Sequence, residues 1–248
     1  MVYEGRPFST DWFEISNAYF IMKYKQGYRQ DADDLINAAN YAREIVLSNL
    51  PITFQNMITI YIHEYPTSIN GRRLDWCIMR ADLVNQLIHL ISPTNALRQS
   101  SQYDDVWYKA NLIHEYVHHV VAYHMNITSG SRMNEFLPRW FYEGIAGYIP
   151  YFHSSHEIMT RYQSKLEEVK SLVRSGNGEF DTIARDVYFG GAILLSYMYD
   201  EYGEENVLKL ISTKSQNWEA AIDGELQMKY DEFKDRWLTW ALNRARSP

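Results

Sequence analysis

The sequence predicts an α+β fold: a strand-rich N-terminal lobe over residues 1–103 and a helical C-terminal lobe over 104–248, together one domain. Three observations carry that expectation. Short runs of period-two alternation are confined to the first lobe. From about residue 104 onward, apolar positions recur every three to four residues instead. Hydrophobic residues make up 46% of the 248, enough for a sizeable core.

In the first lobe, Phe20, Met22 and Tyr24 alternate with Tyr19, Ile21 and Lys23, which predicts a strand. Residues 31–49 predict a helix. Leu35, Ala39, Ala42 and Val46 fall near one face, and Asp31, Asp33 and Asp34 gather at its positive end. Pro51 stops it. Ile58, Ile60 and Ile62 alternate with Thr59, Tyr61 and His63, a second strand. Asn70-Gly71 marks a turn, and residues 76–81 and 87–92 are further strands, the latter ended by Pro93.

The second lobe opens with a long helix over 104–125, followed by a shorter one over 138–149 bounded by Pro150. Ser154 and Glu157 form a capping box for a helix reaching Arg174. A polar loop at 175–178 separates it from a helix over 187–202 that Gly203 can cap. Helices over 204–212 and 230–245 complete the chain, with no internal repeat or flexible linker.

Composition narrows the function. A net charge of −7 argues against nucleic acid or an anionic membrane as the main partner. The single cysteine, Cys77, excludes an intramolecular disulfide and a cysteine-based zinc site. No run of about 18 apolar residues exists, so no membrane span is expected. The first ten residues lack a signal-peptide pattern, which favours a cytoplasmic location, or a secreted one if the N-terminus has been trimmed. No feature of the sequence sets an oligomeric state.

His114-Glu115-Tyr116-Val117-His118 lies inside the long predicted helix. Residues four apart on a helix share a face, with Cβ atoms about 5–6 Å apart, so two imidazoles can converge on one ion. Glu115 projects about a quarter-turn round the helix. There a carboxylate can take a proton from an activated water. Val106, Ala110, Ile113, Val117, Val120 and Val121 form the core stripe, with the two histidines on its border. His119, opposite that stripe, is expected to be solvated, as are His63 and His89 in their strands.

A catalytic zinc keeps three protein ligands and one open position. The third candidate is Glu143, in Trp140-Phe141-Tyr142-Glu143-Gly144-Ile145-Ala146-Gly147-Tyr148. A mid-helix carboxylate among Trp, Phe, Ile and Ala is costly unless paired or metal-bound. Gly144, Ala146 and Gly147 would let this helix approach the histidine helix closely. The bland alternative for Glu143 is a surface position on an amphipathic helix.

Together these two motifs resemble the gluzincin metallopeptidases, in which the two His of H-E-x-x-H and a downstream Glu in W-x-x-E-G-x-A hold zinc. Collagenase catalytic domains, the aminopeptidase N type and small single-domain gluzincins share the pairing. The resemblance implies a thermolysin-like catalytic domain, one Zn²⁺ on His114, His118 and Glu143, and Glu115 as general base. Tyr188, in Tyr188-Phe189-Gly190-Gly191-Ala192, is similar to an oxyanion-stabilising tyrosine of aminopeptidase N relatives, although Gly190 replaces their lysine. A second glutamate common in the family is Gly147 here, and the G-A-M-E-N segment that grips a free N-terminus is absent. The implied activity is therefore cleavage of a peptide or protein substrate by an endopeptidase rather than an aminopeptidase. The alternative is a catalytically idle, zinc-containing binding module of the same fold. The resemblance also implies an edge strand along the cleft, for which 87–92 is the candidate.

Overall fold

Alternation in the first lobe translates directly into a sheet with one dry face. The computed structural model describes residues 11–64, 68–69, 72–73, 78–126, 137–213, 215 and 217–246. Strands β1 (Phe13–Ser16), β2 (Phe20–Tyr24) and β3 (Ile58–His63) precede two-residue strands β4 (Ser68–Ile69) and β5 (Arg72–Arg73). Strands β6 (Met79–Asp82) and β7 (Leu87–Ile91) follow. Phe20, Met22, Tyr24, Ile58, Ile60, Ile62, Ile88 and Leu90 are all buried, so the dry face is continuous across the three central strands. The expected Asn70-Gly71 turn lies outside the described residues.

The main sheet has the order β1-β2-β3-β7-β6. The three central strands run parallel, with Met22 opposite Ile60 and Ile60 opposite Ile88. The two outer strands are antiparallel to their neighbours. Helix α1 (Arg29–Asn49) makes the crossover from β2 to β3 and buries Leu35, Ala39, Ala42 and Val46. The expected edge strand, Leu87–Ser92, is instead interior: β7 pairs with β3 on one side and β6 on the other. An apolar run of this kind suits a strand covered on both flanks, and the true edge, β6, is the more polar one.

Pro93 begins a helix rather than merely ending a strand. Helix α2 (Pro93–Gln99) uses Ser92 as N-cap, its side chain accepting from the Asn95 N–H, and proline fits the first helical position because that position needs no donor. Asp31 is buried, 7% exposed, and binds the hydroxyls of Ser92 and Thr94 rather than simply lying in solvent at the start of α1.

Helix α3 (Asp105–His124) crosses the molecule and contacts α1, edge strand β6, α4 (Arg139–His153) and α5 (His156–Arg174). It is buried nearly all round, and His119, expected in solvent, is 3% exposed with its ring bonded to the Leu87 carbonyl at 3.2 Å. Pro150 does not end α4, which continues through it to His153. Ser154 makes no capping box: its hydroxyl donates to the Pro150 carbonyl, and the N-cap of α5 is Ser155. The remaining helices are α6 (Phe180–Ile183), α7 (Phe189–Ser212), α8 (Trp218–Leu226) and α9 (Tyr230–Arg246). Within α7, Gly203 (φ 77°) breaks the helical path where a cap was expected. Among the described residues no helix is long and apolar enough to cross a membrane.

On the sheet face away from the helices, His63 Nε2 lies 3.0 Å from His89 Nδ1, with Trp12 edge-on to Tyr61 and His63. These histidines, expected at the surface, are half-buried. Burial first, then the charges of His89 and Lys25, lower the His63 pKa from 6.5 to about 4. The unfolded chain thus binds more protons between pH 6.5 and 4, so stability falls as pH drops through that window. His63→Phe keeps a ring in the stack and removes this titration. Urea midpoints at pH 6.5 and 4 are expected to differ less in the variant than in the parent; an equal loss would show that His63 does not contribute.

Candidate metal centre

His114 and His118 lie one turn apart on α3, and their Nε2 atoms come within 3.1 Å with the rings nearly perpendicular. Glu143, midway along α4, places Oε2 3.2 Å from His114 Nε2 and 3.4 Å from His118 Nε2. All three residues are buried, and among the described residues theirs is the one His/Cys/Asp/Glu cluster with the spacing to hold a metal ion. The geometry fits an ion well. A tetrahedral centre with ligands near 2.0–2.1 Å separates neighbouring donor atoms by about 3.3 Å, close to the three separations seen. Without a cation or shared protons between them, these lone pairs would face one another in a dry setting.

The electrostatics follow from that packing. Burial disfavours the Glu143 carboxylate, but hydrogen bonds and Coulombic attraction from His114 and His118 outweigh it and hold the group well below the usual carboxylate range. Burial also works against a charged His114, yet the bond to Glu143 and the negative field of Glu115 raise its pKa. Tyr142, its ring 5.6 Å from that of His118, is pushed up to about 12 by burial and then by Glu143.

What brings α4 into place differs from the sequence expectation. Gly144 and Gly147 face α7, not α3. A Cβ on Gly144 would meet the Gly191 carbonyl at 2.6 Å, and a Cβ on Gly191 would meet the Trp140 carbonyl at 2.4 Å. The two helices therefore touch backbone to backbone, and α4 is held between α7 and α3 with Glu143 on the α3 side.

Pro150 has a local consequence. With no N–H, it leaves the Ala146 carbonyl without its i+4 helical donor. The Ala146 carbonyl acts on His114, favouring its protonated form, so the break in the helical ladder leaves an acceptor beside a candidate ligand ring. Such partners fix the tautomer and orientation of a ligating imidazole.

Glu115 stands outside the cluster and is half-buried. Its Oε2 accepts the Ala81 N–H at 2.8 Å. That bond ties the carboxylate to edge strand β6, a contact that no sequence signal revealed. Tyr188, 41% exposed at the start of α7, lies with its ring 5.9 Å from His114. Burial, then the charge of Glu143, raises its pKa, while a bond to the Arg139 side chain opposes this. The structure thus gathers all five sequence-predicted residues and adds Ala81, Arg139 and Tyr142, of which only Tyr142 falls within a motif, at a position the motif leaves unspecified. No protein-family model matches the chain, and no curated protein matches it.

Two variants probe this packing. Gly191→Ala is expected to destabilise the fold by about 1–3 kcal/mol through backbone overlap, read by denaturant unfolding; an unchanged midpoint would mean that the helices separate freely. Pro150→Ala restores a donor to Ala146. Metal affinity is expected to fall about tenfold or more, without loss of thermal stability in the metal-free protein, and unaltered affinity would rule out the His114 tether.

Proposed function

We propose that the chain is a zinc-dependent metallopeptidase of the gluzincin type, cleaving peptide bonds internally. One observation carries this reading: three buried donor atoms within 3.4 Å of one another, with the Glu115 carboxylate beside them but outside the ligand set. Two imidazoles and one carboxylate match the donor set of hydrolytic zinc sites, which reserve a fourth position. Zinc held there would polarise a carbonyl and lower the pKa of a water at neutral pH.

The chain's own residues supply the rest. Glu115 takes a proton from the attacking water and delivers it to the departing amine. The Ala81 N–H holds one carboxylate oxygen, which restrains the side chain and leaves the other free to accept that proton. The Tyr188 hydroxyl donates to the oxygen on which negative charge develops. A raised pKa suits this role, since the phenol stays protonated. Strand β6 is an antiparallel edge, and an extended peptide can add beside it through backbone bonds. A chain paired along a strand edge can extend past it at both ends, which suits internal cleavage over trimming from an end.

A zinc-holding module without turnover is the competing reading, and the depth of the cluster favours it: His114, His118 and Glu143 are each less than a tenth exposed. Glu115→Gln separates the two, because the amide oxygen can still accept from Ala81. The parent is expected to cleave casein, to stop with a chelator and to resume with zinc. The variant should retain one equivalent of zinc and lose activity about a hundredfold or more. Undiminished cleavage by the variant, or no cleavage by a zinc-loaded parent, would overturn the peptidase assignment.

A further inference from the structure

Away from the metal cluster, helices α5, α7 and α9 and the end of α4 line a cleft of about 350 Å³ that is half open to solvent. Its walls are apolar: Leu166 and Val169 of α5, Ile193 of α7, and Trp237, Trp240 and Ala241 of α9. An apolar cavity of about 150 Å³ stays dry and takes up benzene. By volume alone, this cleft has room for a tail roughly twice that size, about a dozen heavy atoms by the same measure.

The charge of the lining is one-sided. Among the described residues, Lys170 and Arg244 are its only charged members, and both are positive. Each is anchored outside the cavity by a carboxylate that does not line it, Lys170 by Glu167 at 2.6 Å and Arg244 by Asp200. Those pairs join exposed or half-exposed side chains, 40% and 44% for the first and 58% and 39% for the second. Such pairs contribute little and yield readily to a better-placed anion. Arg244 also lies over the Trp240 ring at 5.1 Å, which keeps its guanidinium beside the cavity. Gln163 and Ser196 add uncharged polar groups to the lining.

We propose that this cavity binds a medium-chain fatty carboxylate, its tail among Trp237, Trp240, Val169 and Ile193 and its head between Lys170 and Arg244. Stems of Lys and Arg that line apolar surface while their charges stay wet are suited to such a ligand. The site is separate from the metal cluster and stands whether or not the chain is a peptidase. It also touches the two helices that flank that cluster. Tyr151, in the cavity lining, stacks on Phe189 at 4.9 Å, next to Tyr188.

Isothermal titration of the full chain with octanoate, decanoate and dodecanoate tests the proposal. Saturable one-to-one binding is expected, tightening about fourfold per added methylene. Dodecanol should bind about tenfold or more weakly than dodecanoate, and Lys170→Gln with Arg244→Gln should remove that preference. Ala241→Phe fills the cleft and should abolish binding; should it fail to fold, Ser196→Leu, also in the lining, serves the same purpose. Absence of saturable binding, equal affinity for the alcohol, or full binding by a folded cavity-filling variant would each overturn the assignment.

Discussion

A carboxylate buried between two helices is tolerable only where positive or proton-donating groups surround it, and Glu143 finds them in two imidazoles on a neighbouring helix. Much of the lower half of the molecule is arranged around that meeting. Helix α3 presents both histidines from one face. Helix α4 must approach close enough for Oε2 to reach both Nε2 atoms, and α7 supports it from behind. Replacing either glycine at the α4–α7 contact would drive a Cβ into backbone, so the small residues act on the cluster without touching it.

The sheet is joined to this arrangement through backbone groups of its strands. Ala81, on antiparallel edge strand β6, donates to Glu115 rather than across to β7. The carboxylate beside the cluster is therefore positioned from two directions, by its own helix and by the sheet edge. Burial of His119 against the Leu87 carbonyl fastens the same helix to the same sheet from another side. Packing against α1 and α4 as well as the sheet edge explains why α3 is dry almost all round although its sequence resembles an amphipathic helix.

The sequence on its own was enough to place the strands at 20–24, 58–63 and 87–91, because alternating apolar residues must share one buried face. It was also enough for α1 and α3, and for His114 and His118, since helical spacing alone dictates that residues four apart converge. Glu143 was legible for a related reason: an acidic residue in an apolar helix needs a partner. Pro150 was misread because a proline inside a helix breaks one bond, and tertiary packing can use the freed carbonyl. The capping box failed because the Ser154 hydroxyl found an acceptor in the preceding helix.

Only the tertiary structure decided which partner each small residue faces, which strand forms the edge, and what holds Glu115. Periodicity reports that a residue is buried, not against what; Gly144 and Gly147 serve α7 for that reason, and β7 proved interior. The Ala81 contact involves a main-chain donor that every non-proline residue carries, so no side chain could announce it. The cavity among α5, α7 and α9 is likewise invisible in the sequence, since a void is set by how three helices pack and leaves no periodic trace. Local spacing prescribed the paired histidines, and packing over long sequence separations prescribed their surroundings.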